Sequence, residues 1–211
     1  MLLTVVDYGV GNLRSIVKSI EKANSENNLN YSIKVSSIIN DIKKADKLVL
    51  PGQGSFKACC EGIKNINGLE EELNESVISK KKPIYGICAG MQIFGTTGYE
   101  EEETAGLNWI EGEIIKINPG VTNLKIPHIG WNELNIKNSS EVFKSVNNKS
   151  HAYFIHSYEF LPKDKEVVSI STSYGKDIVA AVSYKNIYGS QFHPEKSQVT
   201  GIKILTSFLK L

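Results

Sequence analysis

The first half of the chain alternates short apolar runs with stretches whose apolar residues recur at helical spacing. Leu2–Val6 is apolar at nearly every position and reads as a buried strand. Asn12 offers a side-chain cap to a helix in which Leu13, Ile16, Val17 and Ile20 share one face. Residues 31–36 alternate as a strand does, and Lys47–Leu50 is a short apolar strand stopped by Pro51-Gly52. Helices are predicted around 55–63 and 69–80, then a strand over 83–87, and a helix over 89–94 that restarts directly after Cys88. This βαβα order predicts an open, mostly parallel sheet with helices on both faces.

The second half changes character. Segments 110–117, 153–160, 166–172, 178–184 and 187–191 are strand-like with turn residues between them, which predicts antiparallel additions to the sheet. A last amphipathic helix over 199–209 places Ile202, Leu205, Phe208 and Leu209 on one face. Residues 135–150 are polar and rich in Asn, Ser and Lys, and read as a surface excursion. There is no internal repeat and no linker-like stretch, so residues 1–211 are expected to form one α/β domain, a size such a domain accommodates.

Charge adds little to this picture. Twenty-four Lys and Arg against 23 Asp and Glu leave a net charge of +1, scattered along the chain, so nothing marks it for nucleic acid or an acidic membrane surface. Lys80-Lys81-Lys82 and the acidic runs at 70–72 and 100–103 read as solvated helix ends or loops. No run approaches 18 apolar residues, and the N-terminus reads as a core strand rather than a cleaved leader. Three cysteines are too few for a disulfide framework, which fits a reducing, cytoplasmic setting; Cys59 and Cys60, adjacent on a predicted helix, read as packing residues.

Two segments carry chemistry. Gly86-Ile87-Cys88-Ala89-Gly90-Met91-Gln92 sits where a strand turns into a helix, and its flanking glycines suit a strained nucleophile elbow. Cys88 would project above the sheet edge at a helix N-terminus, where the helix dipole favours thiolate, and the Ala89 amide could donate to an oxyanion. Far downstream, Gln191-Phe192-His193-Pro194-Glu195 supplies a base and a carboxylate two residues apart. His193 would take the thiol proton and pass it to a leaving amine, and Glu195 would orient the imidazole. Pro51-Gly52-Gln53-Gly54 follows a buried strand, at the carboxyl edge where ligands of open sheets gather, and reads as a second oxyanion donor able to switch. His128, His151 and His156 lack metal-ligand spacing, so no metal is expected.

Gly52-Gln53-Gly54, the Cys88 elbow and His193-Pro194-Glu195 resemble the triad-type, class I glutamine amidotransferases, whose fold is a flavodoxin-like open, mostly parallel sheet with antiparallel additions. Within that superfamily the chain is most similar to the glutaminase subunits of imidazole glycerol phosphate synthase, of histidine biosynthesis. The residues carrying this are Asp7-Tyr8-Gly9-Val10-Gly11-Asn12-Leu13, Pro127-His128-Ile129-Gly130-Trp131-Asn132, Tyr153-Phe154-Ile155-His156-Ser157-Tyr158 and Glu195-Lys196-Ser197. The resemblance covers nearly the whole chain.

The resemblance implies L-glutamine as substrate, no cofactor, and a separate (β/α)₈-barrel cyclase subunit that receives ammonia directly. It implies that Gln92 helps hold the glutamine, Glu100 pairs with its α-ammonium group, and Ser157 and Tyr158 line the α-carboxylate side. Glu101, Glu102 and Glu103 follow Glu100 directly, so a slip of one position stays open. Asn12 and its 9–12 loop, Trp131, Asn132 and Lys196 are implied partner contacts, with core packing as the alternative for Trp131. Three features depart from the family: Ala89 where a Leu is usual, the loose Gly95-Thr96-Thr97-Gly98-Tyr99 run, and Asn108 where a second glycine is usual. They leave room for a paralogue feeding another synthase, for instance one amidating a surface sugar. The glutaminase of pyridoxal phosphate synthase shares the Cys-Ala-Gly core but lacks the segment 127–132. A silent docking subunit is disfavoured by the intact Cys88, His193 and Glu195.

Overall fold

The computed structural model describes residues 1–120 and 123–211. Its centre is an eight-stranded sheet. Strand β1 (Leu2–Val6) leads into α1 (Leu13–Glu26), β2 (Ser32–Ser36), α2 (Ile39–Lys44), β3 (Lys47–Leu50), α3 (Phe56–Lys64) and α4 (Leu69–Asn74), which runs on into a π turn at Glu75–Ser79. Then come β4 (Ile84–Ile87), α5 (Ala89–Gln92), β5 (Thr97–Gly98), β6 (Thr104–Ala105), β7 (Gly112–Lys116), β8 (His128–Glu133) and β9 (Asn135–Ile136). The chain closes with β10 (His151–His156), β11 (Tyr158–Pro162), β12 (Val168–Ser173), β13 (Asp177–Tyr184), β14 (Ile187–Ser190) and α6 (Gln198–Leu209). The large sheet runs β2-β1-β3-β4-β14-β13-β12-β9. Its first five strands are mutually parallel and the last three pair antiparallel. Counted among themselves, those five follow the 2-1-3-4-5 order of flavodoxin-like sheets.

The apolar runs are buried because both sheet faces are covered. Successive residues of β3 point to opposite sides: Leu48 and Leu50 join the layer containing Phe56, Ile63 and Leu73, while Val49 joins Ile16, Ile20, Tyr85 and Phe208 under α1 and α6. Asn12 caps α1 as the sequence predicts, its side chain accepting from the Ser15 amide at 3.3 Å.

Three expectations change. Segment 153–160 is two strands: β10 pairs with β8 in a separate two-stranded ribbon, and β11 pairs with β7 in a four-stranded sheet. The switch occurs at Ser157, whose carbonyl accepts from the Ile117 amide at 2.9 Å. Alternation along one run does not reveal that its partner changes midway. Segment 135–150 is no simple excursion: β9 extends the large sheet, and Val142, Phe143 and Val146 are buried in the α1/α6 layer. The helix after Cys88 is a single turn, so its dipole is too short to bear the electrostatic argument drawn from a longer helix.

Candidate active site

Cys88 stands where β4 ends. Its backbone lies at φ 54°, ψ −116°, a strained conformation for a residue with a side chain. The strand below fixes it, since the Cys88 amide donates to the Ser190 carbonyl of β14 at 2.8 Å. The elbow closes against the loop after β3. The Cβ that Gly90 lacks would lie 2.1 Å from the Leu50 carbonyl oxygen. Only glycine permits this approach, and it brings Gly52 beside the Ala89–Gly90 peptide. The two segments read as oxyanion donors, at 52–53 and at Ala89, are therefore adjacent. Gly52 is buried, and Gln53 is exposed with its carbonyl 4.0 Å from Cys59 Sγ.

His193 follows β14 and is buried, with its Nδ1 2.8 Å from Glu195 Oε1. Its amide donates to the Tyr153 carbonyl at 3.0 Å, which ties the base to the β8–β10 ribbon. Ser197 Oγ donates to the His193 carbonyl at 2.7 Å and accepts from the Tyr153 amide at 3.0 Å, bracing the same junction. Burial pushes the His193 pKa down, but the hydrogen bonds and charges of Cys88 and Glu195 outweigh it and raise it to about 9. The raised value favours the protonated ring, which the Glu195 carboxylate holds at Nδ1.

Around this trio the predicted substrate residues gather unequally. Gln92 is buried one turn beyond Cys88; its Nε2 donates to the Tyr158 carbonyl at 3.0 Å and to Gln191 Oε1 at 2.9 Å. Ser157 and Tyr158 are half-buried at the β10–β11 switch. Glu100 is half-buried while Glu101, Glu102 and Glu103 are exposed, so burial singles it out of the acidic run. One of its oxygens already accepts from the Phe56 amide at the start of α3, at 2.7 Å, and burial raises its pKa. Among the described residues no hydrogen bond is seen to its second oxygen.

Of the expected partner contacts, Asn12 is exposed on the 9–12 loop, and Trp131 is 47% exposed with its edge toward Tyr153. Core packing is thus ruled out for Trp131. Lys196 is exposed with its ammonium 5.7 Å above the Tyr153 ring. Asn132 differs from expectation. It lies on the inner side of β8, donating to the Ser173 carbonyl at 2.9 Å and approaching His128 Nε2 at 3.2 Å.

Sequence reading missed two residues of the site. Gln191 Nε2 donates to Cys88 Sγ at 3.6 Å; it was visible beside Phe192-His193, but nothing in its type announces the contact. Tyr8, fully buried, donates its hydroxyl to the Pro51 carbonyl directly before Gly52, and burial raises its pKa well above the usual value. Its only signal was a place in the Asp7–Leu13 motif.

A family model, "Glutamine amidotransferase class-I", matches residues 4–211. A Pelagibacter ubique protein named imidazole glycerol phosphate synthase subunit HisH is 50% identical over 211 residues, covering all of both chains. A Campylobacter jejuni subunit HisH 1 is 45% identical over 210 residues, again over both chains in full. A Brucella suis subunit HisH is 40% identical over 213 residues, covering 100% of this chain and 99% of the relative. Among solved structures, a glutamine amidotransferase superposes with a TM-score of 0.72 at 16% identity, over 99% of each chain. A Thermotoga maritima glutamine amidotransferase gives 0.60 at 15% identity, covering 92% of this chain and 76% of the other. At such identities these two speak for the fold alone, whereas the family model and the HisH relatives extend over essentially the whole sequence. The chain belongs to the class I glutamine amidotransferases, among the HisH subunits of imidazole glycerol phosphate synthase.

Proposed function

We propose that this chain, acting as one domain over 1–211, is the glutaminase subunit of imidazole glycerol phosphate synthase in histidine biosynthesis. It hydrolyses L-glutamine to L-glutamate and ammonia. The observation that carries the reading is the buried imidazole of His193 with its Nδ1 2.8 Å from Glu195 Oε1, beside a strained, glycine-flanked elbow that presents Cys88.

In this mechanism His193 takes the proton of the Cys88 thiol, and the resulting thiolate Sγ attacks the side-chain amide carbon of glutamine. The developing oxyanion is met by backbone amides of Ala89 and the Gly52–Gln53 segment. His193 gives its proton to the departing nitrogen, ammonia leaves, and a γ-glutamyl thioester remains on Cys88. His193 then takes a proton from water, which attacks the thioester and releases glutamate. Glu195 holds the imidazole in the orientation both steps need. Gln92, Glu100, Ser157 and Tyr158 hold the amino-acid end of the substrate. Each step is complete with water and these side chains, so no cofactor enters.

Ammonia that escapes to water becomes ammonium, which is no nucleophile. The partner is therefore a (β/α)₈-barrel cyclase subunit docked over the site, which uses the ammonia to make imidazole glycerol phosphate and AICAR. Trp131, Lys196 and the 9–12 loop with Asn12 form the docking face, and Asn132 supports it from behind. The setting is the cytoplasm; no described helix is long and apolar enough to cross a membrane. Hydrolysis without the loaded partner would waste glutamine, so the 51–54 segment rests in a low-activity arrangement that docking changes.

The test is glutamate release by the chain alone, then with the barrel cyclase and its ribonucleotide ligand. Stimulation by orders of magnitude, abolished by Cys88→Ala, is expected. Absence of stimulation would point to a different synthase as partner.

A further inference from the structure

At the paired ends of the docking strand β8 and its neighbour β10 stand two buried histidines, His128 and His156, that the mechanism does not use. His128 is sandwiched between Phe154, at 4.7 Å between ring centroids, and Tyr174, at 4.0 Å. Its Nδ1 is 2.9 Å from His156 Nε2. His156 Nδ1 is 2.8 Å from the Tyr158 carbonyl oxygen. Burial pulls the pKa of His128 down to about 4 and that of His156 to about 3, so both rings are neutral and each has one N–H.

That single proton per ring fixes every donor in the series. A carbonyl only accepts, so His156 carries its proton on Nδ1 and gives it to Tyr158. His156 Nε2 must then accept, so His128 donates from Nδ1. His128 Nε2 is left as an acceptor, and it faces the Asn132 amide group at 3.2 Å. Asn132 is itself oriented, because its Oδ1 accepts from the Glu133 amide at 2.8 Å and its Nδ2 donates to Ser173. Beyond Tyr158 the series continues without a break. The same Tyr158 carbonyl accepts from Gln92 Nε2, Gln92 also donates to Gln191, and Gln191 donates to Cys88 Sγ. Asn132 shares β8 with exposed Trp131, so one end lies on the docking strand and the other on the nucleophile.

We infer that His128 and His156 are positioning residues that tie the partner-facing strand β8 to the glutamine pocket through the Tyr158 carbonyl and Gln92. The inference rests on the glutaminase reading above. Neither imidazole reaches Cys88; each acts through its neighbour. A shift of β8 on docking carries Asn132 and His128 together and moves His128 against His156 of β10, whose tautomer leaves no alternative partner, and the Tyr158 carbonyl and the Gln92 amide follow. Contiguity alone does not establish coupling, so the test must measure an energy between distant positions.

The variants are His156→Leu, His156→Asn, His128→Leu and Asn132→Ala, each assayed with L-glutamine, alone and with the barrel cyclase and its ribonucleotide ligand. Alkylation of Cys88 by iodoacetamide, read by mass spectrometry, reports the nucleophile without engaging the glutamine pocket. In His156→Leu the glutamine KM is expected to rise about tenfold with Cys88 alkylation within about twofold of wild type. His156→Asn can still donate to Tyr158 and restores KM. It lacks the bond to His128, so partner stimulation falls about tenfold in His156→Asn, as in His128→Leu. Asn132→Ala lowers stimulation too, and combined with His156→Asn it adds little further. If the leucine variants fail to fold, His156→Asn and Asn132→Ala, both polar or small, carry the test. Stimulation and KM within about twofold of wild type in folded variants would overturn the relay alone. A wild-type complex that releases no glutamate would overturn the glutaminase reading and the relay with it.

Discussion

Gly52 and Gly90 interlock: a Cβ on Gly52 would lie 1.9 Å from the Gly90 amide nitrogen. The loop after β3 and the elbow after β4 therefore meet backbone to backbone, at the place where an oxyanion would need donors from both.

Replacing Gly52 with alanine must push the two segments apart. Gly52→Ala is expected to lower partner-stimulated glutamine hydrolysis by about 10²-fold or more, the size of losing one oxyanion donor. Cys88 should still react with iodoacetamide if the elbow survives, which separates a lost oxyanion site from a lost nucleophile. Retention of full activity would show that this contact does not position the donors.

The His193 proton sets the pH dependence. Its pKa is raised from 6.5 to about 9, so the stability this residue contributes is complete below 6.5 and disappears as pH rises through about 9. Hydrolysis follows the same limb, because the acid that protonates the departing nitrogen is lost above it. Glu195→Gln removes the carboxylate that supports the imidazolium. The alkaline limb of kcat/KM should move to lower pH, and the rate should fall by about 10²-fold or more. A limb that stays in place would remove Glu195 from the role assigned to it.

Glu100 is distinguished from its acidic neighbours by burial. Glu100→Gln preserves an acceptor for the Phe56 amide but removes the charge proposed to meet the substrate ammonium. Steady-state kinetics should show the glutamine KM rising about tenfold to a hundredfold, the worth of a charge-assisted hydrogen bond. Glu102, exposed and paired with Lys57 at 2.9 Å, should leave KM within about twofold when changed to Gln.

In the proposed docking Asn12 combines two roles, cap of α1 and contact with the partner. Asn12→Ala removes the α1 cap and should cost about 1 kcal/mol of stability, measured by urea unfolding. Asn12→Ser retains a capping oxygen, so any loss of affinity for the barrel cyclase in that variant reports docking. Trp131→Ala should change stability by less than about 0.5 kcal/mol yet weaken binding tenfold or more by titration calorimetry. Unchanged affinity would move the interface elsewhere.

Much of this was legible along the chain. The apolar runs of β1, β3 and β4 and the capped face of α1 identify a parallel sheet because burial on both faces leaves a local imprint. Cys88 between glycines and the His193–Glu195 pair were visible for a similar reason, since strain and short spacing are local. Segment 153–160 reads as one strand because the alternation continues across Ser157 while the pairing partner changes from β8 to β7. Asn132 looked like a surface contact because a polar residue beside an exposed Trp carries no sign of which side it faces.

The sequence by itself determined the family, the strand and helix periods, and the candidate nucleophile and base, because each is written in neighbouring residues. The tertiary structure alone decided which distant groups meet. Tyr8 reaches Pro51, Gln191 reaches Cys88, and His128 reaches His156 only once sheet order and strand register are set. Such contacts depend on backbone approach at separations where side-chain type carries no positional information. That is why the inward half of the site, from β8 to the nucleophile, emerged only when the chain was folded.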